Sequence, residues 1–110
     1  MRILIDTANT KQIKEMYDAG VICGATTNPT LIAKEGREFE ETLQEIIQIF
    51  SDDPDTLIFA EAVSLESDKI IAEARELAAK SPNIVVKIPM CREGIKAVHA
   101  LSKEGIRTAV

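Results

Sequence analysis

Clustered basic residues, paired cysteines, a second histidine and any long apolar run are all missing from these 110 residues, and each absence removes a class of function. With 13 Lys and Arg against 18 Asp and Glu, the formal charge is −5. Nucleic acid and anionic membrane are therefore not expected as partners, because either calls for a concentrated basic patch. The first apolar stretch, Met1-Arg2-Ile3-Leu4-Ile5, runs directly into Asp6 and is too short for a signal peptide or a membrane span, which points to a cytoplasmic protein. Cys23 and Cys91 lie far apart and match no zinc or redox spacing. Free thiols are expected, with a disulfide or a reactive Cys91 as the lesser alternative. His99 is the only histidine and can make neither a triad nor a metal site by itself, so it is expected on a helix surface. Linkers and low-complexity segments are absent too, which leaves one domain, 1–110.

What is present is an ordinary globular composition, 45% hydrophobic and 28% charged, in a regular alternation of strand and helix signals. An apolar strand over Arg2 to Ile5 ends at Asp6-Thr7. Asn9 or Thr10 then caps a helix with Ile13, Met16 and Tyr17 on one face, stopped by Gly20. A second strand is expected over Val21 to Gly24, leading into Ala25-Thr26-Thr27-Asn28-Pro29-Thr30. Phe39, Leu43, Ile46, Ile47 and Phe50 recur at helical spacing. Leu57 to Val63 reads as a third strand and Ser64 as the cap of a helix whose stripe is Ile70, Ile71, Ala74, Leu77 and Ala78. Ile84 to Met90 is the fourth strand. A helix from about Glu93 to Lys103 follows, with Ile95, Val98 and Leu101 inward and Gly105 as its stop. Ile106 to Val110 begins a fifth strand. Short links between alternating strands and helices mean parallel strands joined by right-handed crossovers, an α/β fold.

The fourth strand is the unusual one. Ile84-Val85-Val86-Lys87-Ile88-Pro89 sets one lysine in a run that reads as buried on both faces. A desolvated lysine lowers its pKa, and its neutral amine attacks carbonyls; the alternative is a stem that carries the charge out to water. Asp6, Thr26 to Asn28, and Glu61 fall at or near the carboxyl ends of the other strands, the edge where parallel α/β folds build sites. Singly, each has a plainer explanation. Asp6 suits a turn, Asn28 before Pro29 suits a helix cap, and Glu61 suits an ion pair with Lys87. Together they suit carbonyl chemistry: Lys87 forms an imine, Asp6 and Glu61 move protons, and Asn28 with Thr26 or Thr27 orients hydroxyls of a sugar-like substrate.

Leu4-Ile5-Asp6-Thr7-Ala8-Asn9, Gly24-Ala25-Thr26-Thr27-Asn28-Pro29-Thr30-Leu31-Ile32, Ala60-Glu61 and Val85-Val86-Lys87-Ile88-Pro89-Met90 with Glu93-Gly94 resemble the amino-terminal half of small transaldolases and the related fructose-6-phosphate aldolases. The resemblance implies an eight-fold βα barrel and ring-like homo-oligomers. It also implies transfer of a dihydroxyacetone unit between sugar phosphates, as in the pentose phosphate pathway, with no metal or organic cofactor. By position, Lys87 would be the Schiff-base lysine, Asp6 the base for carbon–carbon cleavage, and Glu61 the partner of a bound water. Asn28 would bind substrate hydroxyls, and Thr108 falls in the family's fifth-strand substrate motif. Glutamate at 61 favours the transaldolase branch, since the aldolases tend to carry glutamine there. The motif of the fifth strand departs from the family: Thr108-Ala109-Val110 stands where Thr-Asn-Val-Thr is usual. A barrel needs roughly 200 residues, so 110 residues imply only its first half. An open sheet of this kind would tend to self-associate, and a stable monomer in ultracentrifugation would end that expectation. The phosphate-binding serine and arginine of the family have no counterpart here, so weak or absent turnover is expected from this chain by itself. A non-catalytic, oligomerising half-barrel and a fructose-6-phosphate aldolase are the alternatives.

Overall fold

The computed structural model describes residues 1–110 and resolves into two units, Met1–Ile58 and Phe59–Val110. The first unit opens with β1 (Ile5–Asp6), and the Asn9 side chain then accepts from the Gln12 N–H at 3.1 Å, starting α1 (Thr10–Asp18). Gly20, at φ +73°, ends that turn in the left-handed region that favours glycine. β2 (Gly24–Thr26), α2 (Pro29–Lys34) and α3 (Phe39–Ile49) follow. Ile13, Leu43, Ile46 and Phe50 are fully buried, and Tyr17 meets Phe50 edge to face at 5.0 Å. Met16, expected on the buried face of α1, is exposed.

The second strand begins three residues later than its apolar residues suggested. The Val21 N–H bonds back to the Met16 carbonyl at 3.0 Å, so residue 21 still belongs to the turn that closes α1, and its side chain is 47% exposed. Pairing becomes possible where the chain can approach the next strand. A Cβ on Gly24 would lie 2.0 Å from the Leu57 carbonyl oxygen, so only glycine fits there.

β3 (Leu57–Glu61) gives its first two residues to the first unit and its last three to the second. The second unit continues with α4 (Ser67–Lys80), β4 (Ile84–Lys87), α5 (Arg92–Lys103) and β5 (Thr108–Ala109). Ile84, Val85 and Val86 are all buried, as a strand covered on both faces requires. The α4 stripe of Ile70, Ala74 and Leu77 is buried as well, and α4 packs on β4 and α5.

Two expectations for this unit are corrected. Ser64 does not cap α4; its hydroxyl donates to Glu73 Oε1 at 2.7 Å, and Glu66 holds the cap position without a side-chain bond. Ile95 does not face inward but is 49% exposed, and the buried line of α5 is Gly94, Ala97 and Leu101. Small residues win that face because α5 lies close against the end of β4. A Cβ on Gly94 would come within 2.0 Å of the Pro89 carbonyl oxygen.

The strands form one sheet in sequence order, β1-β2-β3-β4-β5, in which β1–β2 and β4–β5 are parallel, with Ile5 opposite Ala25 and Val86 opposite Thr108. A doubly wound sheet would reverse its strand order part-way; this order does not, and the α/β fold is consistent with the first half of an eight-fold βα barrel. No helix is long and apolar enough to cross a membrane.

Candidate functional site

In the first unit the carboxyl ends of two neighbouring strands carry the candidates. Asp6 is the last residue of β1 and Thr26 the last of β2, and the parallel register sets them side by side. Paired residues of adjacent strands share a face, so the side chains meet: Thr26 Oγ1 donates to Asp6 Oδ1 at 2.7 Å. Below them the Thr7 N–H donates to the Thr26 carbonyl at 3.2 Å, which ties the two strand ends together. Asp6 is exposed, and its Oδ2 has no partner.

Asn28 does what the plainer explanation foresaw. Its Oδ1 accepts from the Leu31 N–H at 2.9 Å, and Pro29 occupies the first helical position of α2. That bond fixes the amide plane and leaves the half-buried Nδ2 with both N–H donors to spare. Thr27 points the other way along the alternating backbone. It is 1% exposed, and its Oγ1 has no hydrogen-bond partner. The hydroxyl named as an alternative to that of Thr26 is thus enclosed.

In the second unit Glu61 ends β3 and Lys87 ends β4, and both side chains are half-buried. The Ala62 N–H donates to the Lys87 carbonyl at 3.0 Å and the Ile88 N–H to the Ala109 carbonyl at 2.8 Å, so the backbone around Lys87 is held from both sides. Glu61 and Lys87 do not form an ion pair, which sets aside the plainer account of Glu61. The register of β5 does not set Thr108 beside Lys87. Thr108 stands opposite Val86, and Ala109 stands opposite Lys87, so Thr108 shares the Val86 face and Ala109 is the neighbour of the lysine. A one-residue difference in register reverses the face, and nothing in the sequence of so short a strand fixes it.

Two carboxylates to which the sequence assigned no role hold the loop after Glu61 and the start of α4. Glu73 Oε2 accepts from the Val63 and Ser64 N–H groups at 2.9 and 3.2 Å. Glu93 Oε2 accepts from the Ser67 N–H at 3.2 Å while its Oε1 takes the Lys96 ammonium at 2.7 Å. The Lys96 bond first, and the Ser67 N–H second, hold the Glu93 carboxyl down at about 2. An acidic residue in the first turn of a helix is the signal that could have pointed to Glu93.

The remaining chemistry is sparse. A 480 Å³ groove in the first unit, lined by α1 and α3, has Lys14 and Asp18 already paired at 2.8 Å. Glu45 on its rim is engaged by Arg37 at 2.7 Å, with Thr10 as a second donor, and these hold its carboxyl at about 2. Both cysteines are free, His99 is exposed on α5, and no group of three or more His, Cys, Asp or Glu side chains is placed to hold a metal.

Comparison with known proteins points to one family. The profile of the Transaldolase/Fructose-6-phosphate aldolase family matches residues 3–110. A probable transaldolase of Caldicellulosiruptor saccharolyticus is 56% identical over all 110 residues, which cover 49% of that protein. Probable transaldolases of Clostridium botulinum (strain Eklund 17B) and Clostridium acetobutylicum are each 54% identical over the whole chain, covering 50% and 49% of their own lengths. The chain therefore spans about half the length of the curated relatives it matches. With the match running nearly from end to end on an α/β fold whose first four strands close on Asp6, Thr26, Glu61 and Lys87, this chain belongs to the transaldolase/fructose-6-phosphate aldolase family.

Proposed function

We propose that the chain carries the Schiff-base half of a transaldolase, in which Lys87 takes a dihydroxyacetone unit from a ketose phosphate and passes it to an aldose phosphate. The Lys87 amine adds to the ketone carbon and water leaves, giving an iminium. Asp6 accepts the proton of the C4 hydroxyl as the C3–C4 bond breaks. The O–H pair becomes the second bond of the departing aldehyde, and the C3–C4 pair moves into an enamine held on the lysine. Glu61, working through a water, shuttles the protons of imine formation and hydrolysis. The free Nδ2 of Asn28 donates to a substrate hydroxyl. Glutamate at 61 favours transfer to an aldose over release as a lyase would do.

The observation that carries the proposal is that each of the first four strands has one of these side chains, or the partner of one, as its last residue. Borohydride reduction in the presence of dihydroxyacetone or fructose 6-phosphate, followed by peptide mass mapping, tests the proposal. An adduct on Lys87 that disappears in Lys87→Met is expected, and an unmodified Lys87 with both donors would overturn the proposal.

A further inference from the structure

The structure assigns Thr26 to Asp6 and not to the substrate: it is a positioning residue that aims the carboxylate for carbon–carbon cleavage. This rests on the proposed Schiff-base function and gives one of its residues a different task. A threonine hydroxyl has a single proton to donate. Here that proton goes to Asp6 Oδ1 at 2.7 Å, the length of a charge-assisted O–H···O⁻ bond. The hydroxyl could then meet a sugar hydroxyl only as an acceptor, with its own proton committed to Asp6.

Asp6 needs such a partner. It is the last residue of a two-residue strand and is exposed, so its carboxylate would otherwise turn freely. Thr26 is well suited to prevent that. It is β-branched, with few accessible rotamers, sits in register with Asp6, and belongs to a backbone tied to β1 through the Thr7 N–H. The bond fixes Oδ1 and leaves Oδ2 as the oxygen that takes the C4 hydroxyl proton when the C3–C4 bond breaks. Capture of the ketone by Lys87 precedes that step and does not require Asp6 to be aimed.

This separation of steps supplies the test. With fructose 6-phosphate, borohydride traps either the uncleaved six-carbon phosphate on Lys87 or the three-carbon unit left after cleavage, and mass spectrometry distinguishes them. Thr26→Val keeps the branched shape and loses the hydroxyl. Its ratio of three-carbon to six-carbon adduct is expected to fall about tenfold, the order of effect expected from losing one bond to a charged group. Capture of dihydroxyacetone, which needs no cleavage, should match the wild type, and Thr26→Ser should restore the ratio. An unchanged ratio in Thr26→Val would overturn the assignment. So would an equal loss of both adducts and of dihydroxyacetone capture, which would make Thr26 a substrate contact. Should Thr26→Val fail to give a native far-UV spectrum, Thr26→Ala read in the same way takes its place. A wild-type protein that shows no Lys87 adduct with either donor would bring down the Schiff-base proposal itself, and the assignment with it, which is a different result from an altered ratio.

Discussion

Asn28 performs two tasks with two ends of one amide. Its Oδ1 caps α2 through the Leu31 N–H, and its Nδ2 is left to donate to a substrate. Asn28→Asp separates them, since aspartate caps a helix as well as asparagine but has no N–H to give. Thermal stability should stay within about 0.5 kcal/mol of the wild type, while the donor concentration for half-maximal trapping on Lys87 rises about tenfold. Asn28→Ala should lose both, with about 1 kcal/mol of stability. Wild-type trapping by the aspartate variant would leave Asn28 as a cap alone. Thr27 offers a different case, a buried hydroxyl with no partner. Replacing it by the isosteric apolar side chain removes an unmet hydrogen bond, so Thr27→Val should be neutral or stabilise by about 1 kcal/mol in urea unfolding. A loss of that size instead would show that the hydroxyl is engaged in solution.

Among the elements, α5 depends most on one position. Gly94 lets the helix lie against the Pro89 carbonyl, and a methyl group there has nowhere to go because the obstruction is backbone. Gly94→Ala should cost about 1–3 kcal/mol, as overpacking does, measured as a lower urea midpoint with an unchanged slope. A variant as stable as the wild type would mean that α5 can move away from the end of β4. The start of α5 also carries Glu93, which joins it to the first residue of α4. Its carboxyl is held at about 2 against an ordinary 4.5, so the folded state binds this proton less readily than the unfolded one. The stability it contributes is complete above pH 4.5 and is lost as the pH falls from there towards about 2. Between those limits Glu93→Gln should show a shallower dependence of stability on pH than the wild type. Parallel curves for the two proteins would remove Glu93 from the account.

For the whole molecule the same sign holds in each unit separately. Glu45, held at about 2 by Arg37, does for the first unit what Glu93 does for the second. Acid should therefore weaken both units over one range, from 4.5 down towards about 2, and the sites of weakening can be read by hydrogen exchange. Faster exchange around α3 and at the α4–α5 junction is expected together. Protection lost in one and retained in the other would show that only one carboxylate matters.

The α/β class, the order of the elements and four of the strand-end residues were legible because they rest on local signals. Apolar period, cap residues and glycine stops act within a few positions, and a buried strand such as Ile84–Val86 declares itself by its unbroken apolar run. What the sequence could not give depended on approach and register. The late start of β2, the outward turn of Ile95 and the face of Thr108 are settled by how near one backbone comes to another, and by which residue stands opposite which. The hydrogen bond from Thr26 to Asp6 belongs with these. Twenty residues of chain separate the two, and only strand pairing sets the hydroxyl beside the carboxylate. By itself the sequence determined which chemical groups reach the strand ends; the tertiary structure decided which of them touch, because side-chain neighbours across a sheet are chosen by register and not by distance along the chain.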